Sequence, residues 1–170
     1  CLYLPTGGGK TLTATSIIQK AVAKGRRVVF VANRKQLVRQ TSEVLHRYSI
    51  AHGIMQAENT CRLHEAVVVA SIDTLAARGL PDDIGLIIID ECHGVPGNKK
   101  YRDLLAKYNN LPVVGLTATP FAVGMGKVLP ELGGALFEAL VTGATITELV
   151  EDGFLVDVDI YGPSEPDLRK

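Results

Sequence analysis

Pro5-Thr6-Gly7-Gly8-Gly9-Lys10-Thr11 decides how this chain is read. Three consecutive glycines run straight into Lys-Thr. Glycine lets the backbone approach a bulky anion and turn its N–H groups inward, and a helix beginning at Lys-Thr offers its positive N-terminal end to the same anion. In that setting Lys10 reaches the outer phosphates of a nucleoside triphosphate, and the Thr11 hydroxyl binds a magnesium ion. Pro5 and Thr6 open the loop. The strict pattern, G-x-x-x-x-G-K-[ST], places its first glycine where Leu4 stands. The loop therefore needs support from elsewhere in the chain.

That support is Asp90-Glu91-Cys92-His93, directly after Leu86-Ile87-Ile88-Ile89. An apolar run dense in Ile reads as a strand buried on both faces of a parallel sheet. Carboxylates leaving the C-terminal end of such a strand enter the crevice where α/β folds bind ligands. Asp90 is placed to hold magnesium, and Glu91 to orient and deprotonate an attacking water. Two acids after a strand are ordinarily a solvated loop; a Gly-rich Lys-Thr loop upstream favours the chemical reading.

Thr117-Ala118-Thr119-Pro120 supplies a third element. Together the three stretches resemble motifs I, II and III of the superfamily 2 helicases, in the order and spacing of that superfamily's first RecA-like domain. Gly153-Phe154-Leu155-Val156 and Tyr161-Gly162-Pro163-Ser164 are similar to the end of that domain in the DEAH-type branch related to type III restriction subunits and phage DNA helicases. The resemblance implies an α/β, RecA-like P-loop NTPase domain with a doubly wound, mostly parallel sheet. It also implies a motor that hydrolyses ATP with magnesium to move on nucleic acid, DNA favoured over RNA. His93 would link the phosphate site to motif III, and the Thr117 and Thr119 hydroxyls would couple hydrolysis to movement. Val31-Ala32-Asn33-Arg34-Lys35-Gln36-Leu37 is similar to motif Ia, so Arg34 is expected on a nucleic-acid phosphate. Ser71-Ile72-Asp73-Thr74-Leu75 resembles the next backbone-contacting motif, with Thr74 offering its hydroxyl. Residues 1–120 would carry motifs I to III. Residues 121–170 would complete the domain and begin the connection to a second RecA-like domain, which would supply an arginine finger. Cys1 stands where an initiator Met would be, and only Leu2-Tyr3-Leu4 precede the loop. The expectation is a fragment with a truncated first strand, nearly silent as an enzyme alone.

Composition is compatible with this reading. At 170 residues, 46% hydrophobic and 21% charged, the chain can fill the core of one globular domain. There is no apolar run of membrane-spanning length and no signal peptide, and three unevenly spaced cysteines make no disulfide framework, so an intracellular, cytoplasmic setting is expected. The formal net charge is zero, yet Lys24, Arg26, Arg27, Arg34, Lys35, Arg39 and Arg47 crowd one segment in which Glu43 is the only acid. Such a stripe is either a solvated face or an attraction for phosphates. Cys61-x-x-His64, with His52 and His46 upstream, has zinc-ligand types but only one short pair, which argues against a structural zinc site.

Along the chain, Ala14, Ile17, Ile18 and Ala21 recur at helical spacing and predict a helix over 11–24, stopped by Gly25. Residues 28–32, 67–70, 86–90 and 112–116 read as strands. Asn33 is expected to cap a helix whose face is Leu37, Val38, Thr41, Leu45 and Tyr48. Tyr101, Leu104, Leu105 and Tyr108 mark another helix. Residues 121–130 read as a Gly-rich mobile loop, Thr145-x-x-Glu148 as a capping box, and Phe154, Val156, Val158 and Ile160 as a last alternating strand. A nucleotide- or nucleic-acid-binding module without turnover is the alternative function. A P-loop switch or transporter ATPase fits the first motif but leaves Thr117-Ala118-Thr119-Pro120 unexplained.

Overall fold

A computed structural model of the chain describes residues 1–121, 125, 128–129 and 134–157. The strands are β1 (Leu2–Tyr3), β2 (Arg27–Ala32), β3 (Gly53–Gln56), β4 (Asn59–Cys61), β5 (Val67–Ser71), β6 (Ile84–Ile89), β7 (Val113–Thr117), β8 (Val128–Leu129), β9 (Gly134–Ala135) and β10 (Val141–Thr142). The helices are α1 (Lys10–Ala23), α2 (Lys35–Arg47), α3 (Ile72–Arg78), α4 (Lys99–Lys107) and α5 (Ile146–Glu151), with a 3₁₀ turn at Cys92–Gly94. Eight strands form one sheet in the order β10-β1-β7-β6-β2-β5-β3-β4. Every pairing in it is parallel except β3 with β4.

The central strands read as continuous apolar runs because both faces are covered. Val28, Phe30 and Ala32 of β2 point to one side, where they meet Ala14 and Ile18 of α1 and Val38 and Leu45 of α2. Val29 and Val31 point to the other, against a cluster built from Ile72 and Leu75 of α3 and Tyr101, Leu104 and Leu105 of α4. Two-residue alternation sends adjacent side chains to opposite layers, so a strand with helices on both sides has no polar face to show. This is the doubly wound arrangement expected.

The order of the sheet positions the site. β1, β7 and β6 are neighbours, although they are far apart in sequence. Leu2 sits beside Leu116 and Tyr3 beside Thr117, while Ile89 sits beside Gly115. Leu4 N–H then continues the ladder to Thr117 O at 3.0 Å. Parallel strands present their C-terminal ends along one edge, so the loop after β1, the threonines after β7 and the acids after β6 leave the sheet side by side.

β1 is two residues long and is paired on both sides, by β7 and β10. Other expectations are corrected. α2 is preceded by Arg34 at the N-cap, extended and without a side-chain cap, so Asn33 does not fill that role. Tyr48 is exposed beyond the end of α2, while Val38, Thr41 and Leu45 are buried as expected. Within 121–130, Val128–Leu129 pairs antiparallel with Gly134–Ala135; residues 122–124, 126–127 and 130 lie outside the described residues. The capping box is present, with Thr145 and Glu148 bonded reciprocally. Phe154 and Val156 are exposed and in no strand, because the chain turns back there and both Phe154 and Leu155 N–H bond to Leu149 O. Val158 and Ile160 lie outside the described residues. The antiparallel β3–β4 hairpin was not anticipated, since four and three residues carry too little periodicity to read. Among the described residues no helix is long and apolar enough to cross a membrane.

Gly115 lets β7 pass close to the 3₁₀ turn. A Cβ there would stand 2.3 Å from the Phe137 ring and 2.7 Å from Cys92 Sγ. Overpacking a filled core costs about 1–3 kcal/mol. Gly115→Ala should therefore lower the unfolding free energy by that order, read as a lower urea midpoint with an unchanged m-value.

Candidate functional site

Gly9, before α1, has φ 79° and ψ 25°, and Gly7 has φ 83°. Both lie in the left-handed region that residues with a Cβ avoid. The Gly8 N–H closes the turn onto Pro5 O at 2.9 Å. No side chain caps α1, so the N–H groups of its first turn remain available to an anion. A Cβ on Gly9 would meet nothing within 4 Å, but one on Gly7 would stand 2.8 Å from Leu155 Cδ2 and one on Gly8 3.2 Å from Leu149 Cδ1. The sequence reading missed this apolar backing from α5 and the turn after it, because nothing local in 149–155 points to a loop so distant in sequence.

The acids after β6 face the loop. Lys10 Nζ is 3.8 Å from Glu91 Oε1. Glu91 has φ 48° and ψ 50°, a costly conformation for a residue with a side chain and one that gathers at functional sites. Its N–H bonds to Asp90 Oδ1 at 3.0 Å, while Asp90 N–H continues the sheet to Val31 O. Burial, and then the neighbouring Glu91 charge, raise the Asp90 carboxyl above its ordinary value; the Glu91 N–H, Lys10 and His93 pull it back.

His93 Nδ1 lies 3.3 Å from Glu91 Oε2 and 3.2 Å from Thr117 Oγ1. The Thr117 contact is a hydrogen bond whose donor depends on the imidazole tautomer, and the Glu91 contact is an ion pair when the ring is protonated. Thr117 is fully buried, and its Oγ1 accepts the Thr119 N–H at 3.0 Å. Lys10, Glu91, His93, Thr117 and Thr119 thus form one connected line across three neighbouring strand ends. Cys92 is buried beneath it, its thiol pushed up to about 12 by burial, with Cys1 Sγ at 3.6 Å.

The donor set fits a magnesium triphosphate: Thr11 hydroxyl and Asp90 carboxylate oxygens suit a hard cation, while Lys10 and the uncapped amides suit phosphate. Pro5 is buried at the base of the loop; Thr6, Gly7, Gly9 and Thr11 are exposed.

Of the residues expected on nucleic acid, Arg34 is exposed at the C-terminal edge of the sheet. Thr74 is corrected. It is 6% exposed, and its hydroxyl bonds to Ser71 Oγ at 2.8 Å and accepts the Ala57 N–H at 2.8 Å. It joins the start of α3 to the β3–β4 turn, which leaves it no free hydroxyl for a phosphate. The basic stripe also divides. Lys24 and Arg26 precede β2 and Arg27 begins it, at the opposite edge, where the Arg27 guanidinium is held by the carbonyls of Leu63, Glu65 and Asp82. Arg34 and Lys35 remain at the C-terminal edge, with Arg39 about one turn into α2. His52 has both ring nitrogens engaged, by Ser42 Oγ at 2.7 Å and Ile50 O at 2.8 Å.

Residues 1–122 match the family described as type III restriction enzyme, res subunit. The chain belongs to that family. It is 30% identical to the type I restriction enzyme EcoAI endonuclease subunit of Escherichia coli over 95% of this chain and 22% of that subunit. It is 29% identical to the mouse (Mus musculus) ATP-dependent RNA helicase DHX58 over 75% of this chain and 23% of the helicase. The chain therefore spans about a quarter or less of these relatives. Among solved structures, the Pyrococcus furiosus Hef helicase domain superposes with TM-score 0.64 at 26% identity, covering 84% of this chain and 34% of that one. The UvsW helicase of bacteriophage T4 gives 0.65 at 18% identity over 84% and 53%, a likeness of fold. The chain is a superfamily 2 helicase RecA-like domain.

The raised Asp90 carboxyl makes a pH prediction. The folded chain keeps this proton to higher pH than the unfolded chain, so stability falls as pH climbs from about 3.8 through the folded value. Asp90→Asn removes that loss. Urea unfolding should show the variant more stable than the parent at neutral pH, with the gap closing below pH 3.8.

Proposed function

We propose that this chain is the ATP-binding half of a motor that hydrolyses ATP with magnesium and tracks along nucleic acid, DNA favoured. The observation that carries the reading is the convergence of Lys10 and Glu91 at 3.8 Å, with Asp90 next in sequence at the end of the same strand. The loop amides and Lys10 bind the triphosphate, and Thr11 and Asp90 hold the magnesium, which neutralises phosphate charge when bound. A triphosphate competes with Glu91 for the Lys10 ammonium. Freed from Lys10, Glu91 is a base able to accept a proton from water, with His93 Nδ1 standing 3.3 Å from its second oxygen. Through Thr117, the same histidine ties the base to the backbone at Thr119, a route by which the site's state reaches the neighbouring loop. Arg34 meets a strand phosphate, a contact that holds without reading sequence.

Catalysis needs charge stabilisation that these residues do not supply. The described side chains gathered around Lys10 and Glu91 include no arginine. An arginine finger is worth on the order of 10³–10⁵ in rate, and here it would come from a second RecA-like body.

Calorimetry tests the phosphate site. Lys10→Ala should weaken ATP·Mg binding by about tenfold or more, the worth of a hydrogen bond from a charged group. Glu91→Gln should bind ATP at least as well as the parent, because it releases Lys10. Unchanged affinity in Lys10→Ala would remove the P-loop assignment. In a phosphate-release assay the chain alone should turn over close to background, with or without DNA. Fast, DNA-stimulated release abolished by Glu91→Gln would instead mean that another copy supplies the arginine. Arg34→Ala should weaken binding to all nucleic-acid sequences alike and lower the log–log salt slope by about one; an unaltered slope in an anisotropy titration makes Arg34 a plain surface residue.

A further inference from the structure

A cavity of about 580 Å³ lies between α2 and the β3–β4 hairpin, lined in part by Lys35, Val38, Arg39, Ile54, Gln56 and Arg62. Its size falls within the roughly 300–1,000 Å³ of sites that take small organic ligands. None of the residues at the Lys10–Glu91 site contributes to it.

Its charge is unbalanced. Glu43 lines it too and engages Arg39 at 3.4 Å. Among the described residues, neither Lys35 nor Arg62 has a carboxylate within ion-pair range. Three permanent cations against one acid favour an anion. Hydrogen bonding is unbalanced as well. Gln56 Nε2 is buried without a partner among the described residues, whereas buried polar atoms are nearly always paired. The nearby His52 and Ser42 bond to each other, His52 also to Ile50 O, and Gln56 Nε2 bonds to neither of them. Half-buried Ile54 supplies hydrocarbon between the polar groups.

The hairpin is bent to hold this arrangement. Ala57 and Arg62 have φ 41° and 50°, left-handed without being glycine. A Cβ on Gly53 would stand 2.2 Å from Arg62 O, so Gly53 alone lets the strand end fold over tightly enough to bring Arg62 to the cavity. Such local strain persists only where the surroundings over-determine it.

Cations for a phosphate, hydrocarbon for a ring face and an unpaired amide for a ring edge are together the requirements of a nucleotide. We propose that this cavity receives one nucleotide unit, its phosphate at Lys35 and Arg62, its base on Ile54 with a polar edge toward Gln56. Lys35 follows Arg34 in the chain, so the unit is within reach of a strand crossing the C-terminal edge of the sheet. A free nucleoside monophosphate presents the same chemistry. The inference rests on the nucleic-acid reading above only for the strand as source.

The test uses the wild-type chain, a fluorescein-labelled oligothymidylate, its fully abasic counterpart and thymidine 5′-monophosphate. Side-chain amide resonances are followed in ¹⁵N-edited spectra, with Gln56→Leu assigning the Gln56 pair. The Gln56 amide should shift saturably. A shift with the oligonucleotide alone identifies a strand as the source, and a shift with the monophosphate too shows that a free nucleotide suffices. By anisotropy, Gln56→Leu should weaken the oligothymidylate about fivefold, one hydrogen bond's worth, and leave the abasic strand unchanged. Arg62→Ala should weaken both strands alike and lower the salt slope by about one. A bound strand with the Gln56 amide unmoved by either ligand overturns the cavity proposal and leaves the motor reading intact. Loss of all strand binding while the monophosphate still shifts Gln56 does the reverse. An amide silent to both ligands with no strand bound ends both. Should Gln56→Leu fold poorly, triple-resonance assignment of the parent chain identifies the Gln56 amide, and the titrations then use the parent chain alone.

Discussion

Parallel pairing is the constraint on which the rest depends. A parallel ladder sends every C-terminal strand end to the same edge, and the order β1-β7-β6-β2-β5-β3 then arranges the loops along it. With about 4.8 Å between strands, the phosphate loop, the threonines and the acids fall within the reach of single side chains. The basic turn after β2 and the Gln56 turn after β3 follow further along. Chemistry and grip are thus laid out on one line by backbone hydrogen bonding before any side chain makes a contact. A one-strand change in order would separate Lys10 from Glu91 even with every residue kept.

Much of this was legible because the informative residues carry their reasons locally. Three glycines before Lys-Thr mean left-handed backbone and close approach; a run of isoleucines before Asp-Glu means a buried strand delivering acids to an edge. The helix faces of α1, α2 and α4 followed from spacing, and the α5 cap from the reciprocal needs of Thr145 and Glu148. What escaped depends on partners distant in sequence. Thr74 looks like a free hydroxyl until the β3–β4 turn brings Ala57 onto it. The basic stripe looks continuous until β2 carries Arg27 and Arg34 to opposite edges. Leu149 and Leu155 gave no sign of the loop they back, and Gln56 and Arg62 stood in a hairpin too short to detect.

The site is also where the fold works against its own stability. Asp90 is held where burial and Glu91 both disfavour its charge, Glu91 sits in a backbone conformation that most residues avoid, and the first amides of α1 go without a cap. The two apolar layers on either side of β2 and β6 offset these costs with strands whose inner side chains are almost wholly buried. A hard core beneath a strained rim is the arrangement that lets polar groups wait for a ligand.

The leucines behind the phosphate loop have a mechanical consequence. Leu155 Cδ2 stands 2.8 Å from where a Gly7 Cβ would be, its N–H is tied to Leu149 O, and Leu149 belongs to a helix pinned at its start by Thr145 and Glu148. The loop accordingly has a stiff backstop on that flank. Outward swelling of Gly7 or Gly8 meets hydrocarbon at once, and the push falls on a short helix whose start is held by the capping box instead of on solvent.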